Sequence, residues 1–191
     1  MNFDFTREDL VSMTSEDLQA KLAEVVAAKQ AEFSAMTEED LKKAEEELMD
    51  LFKENDKHIE STKYSLPAET VYDGEVEKSR KIIRDIISFL NRIKINWQSS
   101  LGMYQAIKYW TNVKESAPEV SYYVFDSTIR MLGTLEYQGL NDCRSILFIN
   151  NWFSTVHSKY VADQAYTQLL HALHESVLQQ MEKPDEVEEE K

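Results

Sequence analysis

The chain has 191 residues, 29% of them charged, and 35 acids against 21 bases give a formal net charge of −14 at pH 7. Four glycines and three prolines are too few for a loop-rich β-sandwich or a glycine-rich nucleotide fold, so the composition predicts an all-α protein. The acid excess opposes nucleic acid by long-range repulsion, the apolar runs are far too short to span a bilayer, and a single cysteine rules out an internal disulfide.

Near the start one phrase occurs three times: Thr6-Arg7-Glu8-Asp9-Leu10, Thr14-Ser15-Glu16-Asp17-Leu18 and Thr37-Glu38-Glu39-Asp40-Leu41. Each reads as a helix start, with threonine as N-cap, an acid three residues later to return a bond, and negative charge at the positive end of the helix dipole. The spacings are unequal, so this is one capping solution used three times rather than a repeat. Leu18, Leu22, Val25, Val26 and Phe33 mark one helix, and Leu41, Ala44, Leu48, Leu51, Phe52 and Ile59 a second, with a turn at Ser34 to Thr37. Residues 1–60 therefore read as an acidic αα-hairpin. Asn55 and His58 stand where a heptad continuation wants apolar residues, which argues against a long coiled coil.

Ser61 to Gly74, with Pro67 and Gly74, reads as a linker over 61–74, and residues 75–183 as a helical body. Val76, Ile83, Ile86, Ile87, Leu90, Ile93 and Trp97 define an amphipathic helix whose opposite side carries Arg80, Lys81, Arg84 and Arg92. That basic face reads as ordinary solubility, or as a counterpart to the acidic hairpin. Ser99 and Ser100 precede a helix with Met103, Tyr104, Ile107, Trp110 and Val113. Ser116-Ala117-Pro118-Glu119 has the form of a capping box with proline in the first turn, and predicts a helix through Val120, Tyr123, Val124, Met131 and Leu135. Gly133 and Gly139 mark a stop or a close approach.

Between Gly139 and Pro184 no glycine or proline occurs. Asn141 is the expected N-cap of this long stretch. Ile146, Ile149, Phe153, Val156 and Tyr160 form one stripe, and Tyr166, Leu170, Leu173 and Val177 a second, pointing about 110° away from the first at 100° per residue. Either the helix breaks near Val161 to Ala165 or its halves face different neighbours. Residues 184–191 read as an acidic tail too polar to pack alone. The expected architecture is an N-terminal αα-hairpin followed by a four- to five-helix bundle or irregular helical cluster with a long C-terminal helical stretch.

Chemistry is sparse. Cys143 has no histidine near it in sequence and reads as a small packed side chain. His171 and His174 lie within one helical turn and would need His157 as a third ligand to make a metal site, but there is no His-Glu-x-x-His and no Glu-x-x-His. No phosphate loop, nucleophile elbow or Cys-x-x-Cys occurs. No catalytic, cofactor-binding or metal residue is therefore assigned. Trp97, Trp110 and Trp152 read as core or interface anchors.

The expectation is a non-enzymatic protein that works by contact with a protein partner or with copies of itself, as an adaptor, scaffold or structural component, a viral particle included, with neither nucleic acid nor membrane as partner. A start without a basic-then-apolar leader and the lone cysteine place it inside the cell, in the cytoplasm or in a virion assembled there. The alternatives are an acidic decoy for the nucleic-acid site of a basic protein and a metal-dependent enzyme around His157, His171 and His174.

Overall fold

A computed structural model describes residues 3–94 and 100–182, with the side chain of Ser100 excluded. Trp97, Ser99, Pro184 and the 184–191 tail lie outside the described residues. Among the described residues helices dominate, but four short strands accompany them, so all-α holds only approximately. The chain divides into two units. Unit 1 takes the residues up to His58 and from Lys159 onward; unit 2 takes Ile59–Ser158. The expected grouping of residues 75–183 as one body is corrected accordingly, since residues from Lys159 onward group with the hairpin.

Unit 1 contains α1 (Arg7–Ser12), α2 (Ser15–Ser34), most of α3 (Glu38–Ser61) and the second half of α7 (Gly139–Met181). The three threonines act as expected. Thr6 and Asp9 make a reciprocal capping box, and Thr14 and Thr37 accept from the backbone N–H groups of Asp17 and Asp40. The core joins Val25 and Phe33 of α2, Leu41, Ala44 and Leu48 of α3, and Leu169, Leu170, Leu173 and Val177 of α7. Each fully buried leucine contributes about 1.5–3 kcal/mol, so the second apolar stripe of the long stretch is what closes the αα-hairpin into a three-helix core.

Unit 2 is built on the first half of α7 with β1 (Lys63–Ser65), β2 (Glu69–Tyr72), β3 (Glu75–Lys78), α4 (Ser79–Leu90), α5 (Ser100–Asn112), β4 (Glu119–Ser121) and α6 (Tyr122–Leu132). Its core is aromatic. Trp110, Trp152, Tyr64 and Phe125 are all buried, and the Phe125 and Phe153 rings meet edge to face at 4.8 Å. Both indoles find acceptors: Trp152 Nε1 donates to the Pro67 carbonyl at 2.7 Å and Trp110 Nε1 to Thr128 Oγ1 at 2.9 Å.

Four expectations are corrected here. The 61–74 segment is not a linker: β1 pairs with β4, and β2 with β3, both antiparallel. Tyr64 and Leu66 are buried. β2 and β3 meet at Asp73-Gly74, both at positive φ (50° and 75°), the pairing a two-residue hairpin turn requires. Val76 therefore belongs to a strand, and the helix begins at Ser79 and ends at Leu90. Ser116–Glu119 starts no helix. The Pro118 carbonyl accepts from Leu66 N–H at 2.9 Å, Val120 sits buried opposite Tyr64, and α6 begins only at Tyr122. A long-range ladder has overridden a local capping signal. Finally, α7 starts at Gly139, before Asn141, and the Asp142 carboxylate accepts from Gln138 N–H. α7 is assigned as one helix from Gly139 to Met181, and its halves face different neighbours.

Gly74 holds a left-handed conformation while Gly133 is right-handed (φ −66°). Gly74→Ala is expected to cost about 1 kcal/mol, whereas Gly133→Ala should be neutral or stabilising by about 0.5 kcal/mol; urea unfolding of the two variants checks this contrast.

Candidate functional site

The most unusual chemistry in unit 1 gathers where α1 meets α3 and α7. The Thr6 cap starts α1 so that Arg7 and Leu10 lie one turn apart on the same face. Leu10 is 1% exposed and packs with Leu18, Ala162 and Ala165. The Arg7 guanidinium reaches inward. Its Nη2 donates to Asn55 Oδ1, its Nη1 lies 3.5 Å from Asp163 Oδ1, and its carbon sits 3.9 Å over the Tyr166 ring. The Asp163 side chain is 4% exposed and also has His58 Nε2 at 2.9 Å from its Oδ1. Asn55 Nδ2 donates to Thr167 Oγ1 at 3.2 Å, and Thr167 Oγ1 donates to the Asp163 carbonyl at 3.0 Å.

The geometry follows from helical spacing. Asn55 and His58 are three apart on α3, and Asp163, Tyr166 and Thr167 fall within one turn of α7. A carboxylate this buried needs cations and donors around it, and α1 and α3 supply them. The Tyr166 phenol is pushed up by burial, with the Arg7 charge opposing and Glu54 adding to the rise. Phe3 meets the Tyr166 ring edge to face at 6.0 Å and stacks on Phe5.

Sequence reasoning marks Asn55 and His58 as breaks in an apolar seam, and they are the polar side of this cluster. It passes over Arg7 and Asp163. The available signal is isolation: Asp163 is the only acid between Asp142 and Glu175, and Arg7 the only base before Lys21. A carboxylate against an imidazole also suits general-base chemistry, but a base needs a substrate beside it. Two hollows of unit 1, of about 230 and 340 Å³, are lined by other residues and reach neither His58 nor Asp163.

The histidines weighed as ligands are separately occupied. His171 and His174 flank the Phe52 ring at 5.0 and 5.8 Å, and His174 Nε2 lies 3.9 Å from Glu45 Oε1. His157 belongs to unit 2. Among the described residues, no group of three or more His, Cys, Asp or Glu side chains is placed to hold a metal. Cys143 is exposed rather than packed.

In unit 2, three of the four bases expected on one face bond within their own unit: Arg80 and Lys81 of α4, and Arg92 just past its end. Lys81 bonds Glu77, Arg92 bonds Asp142 at 2.6 Å, and Arg80 donates to the Lys114 carbonyl. The acidic hairpin supplies none of these three partners. A groove of about 1000 Å³ runs between α5 and the β1–β4 ladder, with Lys63, Lys108, Tyr109, Asn112, Glu115 and Glu119 along it. Tyr109 donates to the Glu119 carbonyl at 2.8 Å, and burial, then the nearby Glu115 and Glu119 carboxylates, push its phenol up to about 12. The groove mixes both charge signs and presents no nucleophile–base pair.

The Arg7–Asp163 contact is expected to show energetic coupling: the combined loss in an Arg7→Ala, Asp163→Asn double-mutant cycle should fall short of the sum of the single losses by about 1–3 kcal/mol, read by urea unfolding. Tyr109 gives a pH signature. The unfolded phenol ionises near pH 10 while the folded one holds its proton to about 12, so stability should fall as pH rises between those values; Tyr109→Phe should flatten that fall. No protein-family model, curated protein or solved structure matches this chain.

Proposed function

We propose that the chain is a non-enzymatic assembly or adaptor protein that meets its partner through unit 2. The observation that carries this reading is the distribution of exposed apolar side chains. Of ten large ones among the described residues, eight lie in unit 2, including Leu140 (85% exposed), Leu101 (66%), Tyr104 (62%) and the cross-strand pair Val71 and Val76 (56% each). Leu101 and Tyr104 are one turn apart on α5, and Val71 and Val76 sit opposite each other on one face of the β2–β3 hairpin. Apolar and aromatic groups left in water are what interface cores use.

Charge supports the same division. By sequence, unit 1 holds 24 acids and 10 bases, and unit 2 holds 11 of each. Copies of unit 1 repel one another, whereas unit 2 can approach a neighbour without that cost. No helix among the described residues is long and apolar enough to cross a membrane, and the exposed thiol of Cys143 suits a reducing, intracellular compartment. Concentration of the whole net charge on unit 1 favours a second reading, an acidic decoy that binds a basic protein.

Light scattering coupled to size exclusion separates the two. Assembly through unit 2 predicts a defined oligomer that survives moderate salt and that Leu101→Glu with Tyr104→Glu, or Val71→Lys, dissociates without loss of helical circular dichroism. A monomer at every concentration and salt, with salt-sensitive binding to a basic protein instead, would overturn it in favour of the decoy.

A further inference from the structure

The arm formed by residues 3–13 is held in unit 1 almost entirely by side chains. Its backbone bonds outside the α1 ladder, among the described residues, are local: Leu10 N–H to the Thr6 carbonyl and Met13 N–H to the Leu10 carbonyl. A six-residue helix cannot sustain itself in water, so the surface it lies on is what orders it. That surface supplies three complementary features. The Asp163 carboxylate, 4% exposed, and Asn55 meet one guanidinium; the Tyr166 ring lies beneath it; Leu18, Ala162 and Ala165 receive Leu10. One extended residue, Met13, joins the arm to Thr14, the cap of α2.

We propose that this cradle on α2, α3 and α7 is a docking site for a short helix with the pattern Arg-x-x-Leu behind an aromatic pair, that α1 is its displaceable resident, and that the α1 arm of a second copy of this chain is the occupant in trans. The site belongs to unit 1 and is separate from the unit 2 interface. The occupant follows from fit: the arm of this chain carries Phe3, Phe5, Arg7 and Leu10 at the spacing the cradle receives. Exchange brings two units with excess acid together, so raising ionic strength favours it.

A labelled peptide of residues 3–13, followed by fluorescence anisotropy, tests the cradle. It is expected to bind a chain lacking residues 1–13, to bind the full chain at least tenfold more weakly because the resident arm competes, and to lose at least tenfold in affinity when the peptide carries Arg7→Ala. If the shortened chain does not fold, full-length Arg7→Ala is the acceptor, and the wild-type peptide should bind it and raise its Tm. Mixing donor- and acceptor-labelled full chains that carry Leu101→Glu with Tyr104→Glu, so that unit 2 does not assemble, should give energy transfer that grows with salt and protein concentration and vanishes when Arg7→Ala is added. The proposal fails if a folded acceptor of either kind does not take the peptide, if the Arg7→Ala peptide binds as well as the wild type, or if mixed full chains show no Arg7-dependent transfer. Val71→Lys and Leu101→Glu with Tyr104→Glu should leave peptide binding unchanged, which keeps this result apart from the unit 2 interface.

Discussion

A helix whose apolar stripe turns by about 110° partway along cannot bury both halves against one set of neighbours. Gly139 to Met181 is such a helix, and most of the remaining structure answers that constraint. Its first half is covered by strands, by three shorter helices and by an aromatic core around Trp110 and Trp152. Its second half is covered by the αα-hairpin, with Leu170, Leu173 and Val177 against Phe33 and Leu48. Two cores of different composition result, one rich in aromatics and one rich in leucine, and each is filled by the side chains that half of the helix presents.

How much of this is legible in the sequence depends on the range of the interaction. Signals carried by one helix or by two consecutive helices read correctly: the threonine caps, the hairpin seam, the change of face along the long helix. The Asp73-Gly74 turn is also local, with Val71 and Tyr72 before it and Val76 after it, but the linker reading of 61–74 and the helical reading of Val76 pass over it. The Ser116–Glu119 segment is different. Its capping pattern is genuine, but Thr62 and Leu66 bond across it to Tyr122 and Pro118, and no local reading contains that ladder. The Arg7–Asp163 contact is out of reach for the same reason, since the two lie far apart in the chain and only their isolation among like charges marks them.

The ionic cluster also explains the placement of charge within unit 1. An excess of acids on helix surfaces is held in water, where repulsion is screened. Among the described residues of unit 1 Asp163 is the buried acid, drawn inside beside a guanidinium and an imidazole. Buried ion pairs add little net stability compared with apolar packing, and their best-attested use is to fix one arrangement among several. Small and interchangeable side chains such as Ala162 and Ala165 would let α1 slide along α7; a single carboxylate with one guanidinium to meet does not.

The division of the chain has a consequence for how it is made. Unit 2 is continuous in sequence, while unit 1 is assembled from two segments separated by the hundred residues of Ile59–Ser158. A ribosome delivers the hairpin first, yet Phe33, Leu41 and Leu48 must wait for Leu170 and Val177 before their core can close. Folding of unit 2 in the interval brings the two segments of unit 1 nearer along the chain, shortening the loop that its closure must order.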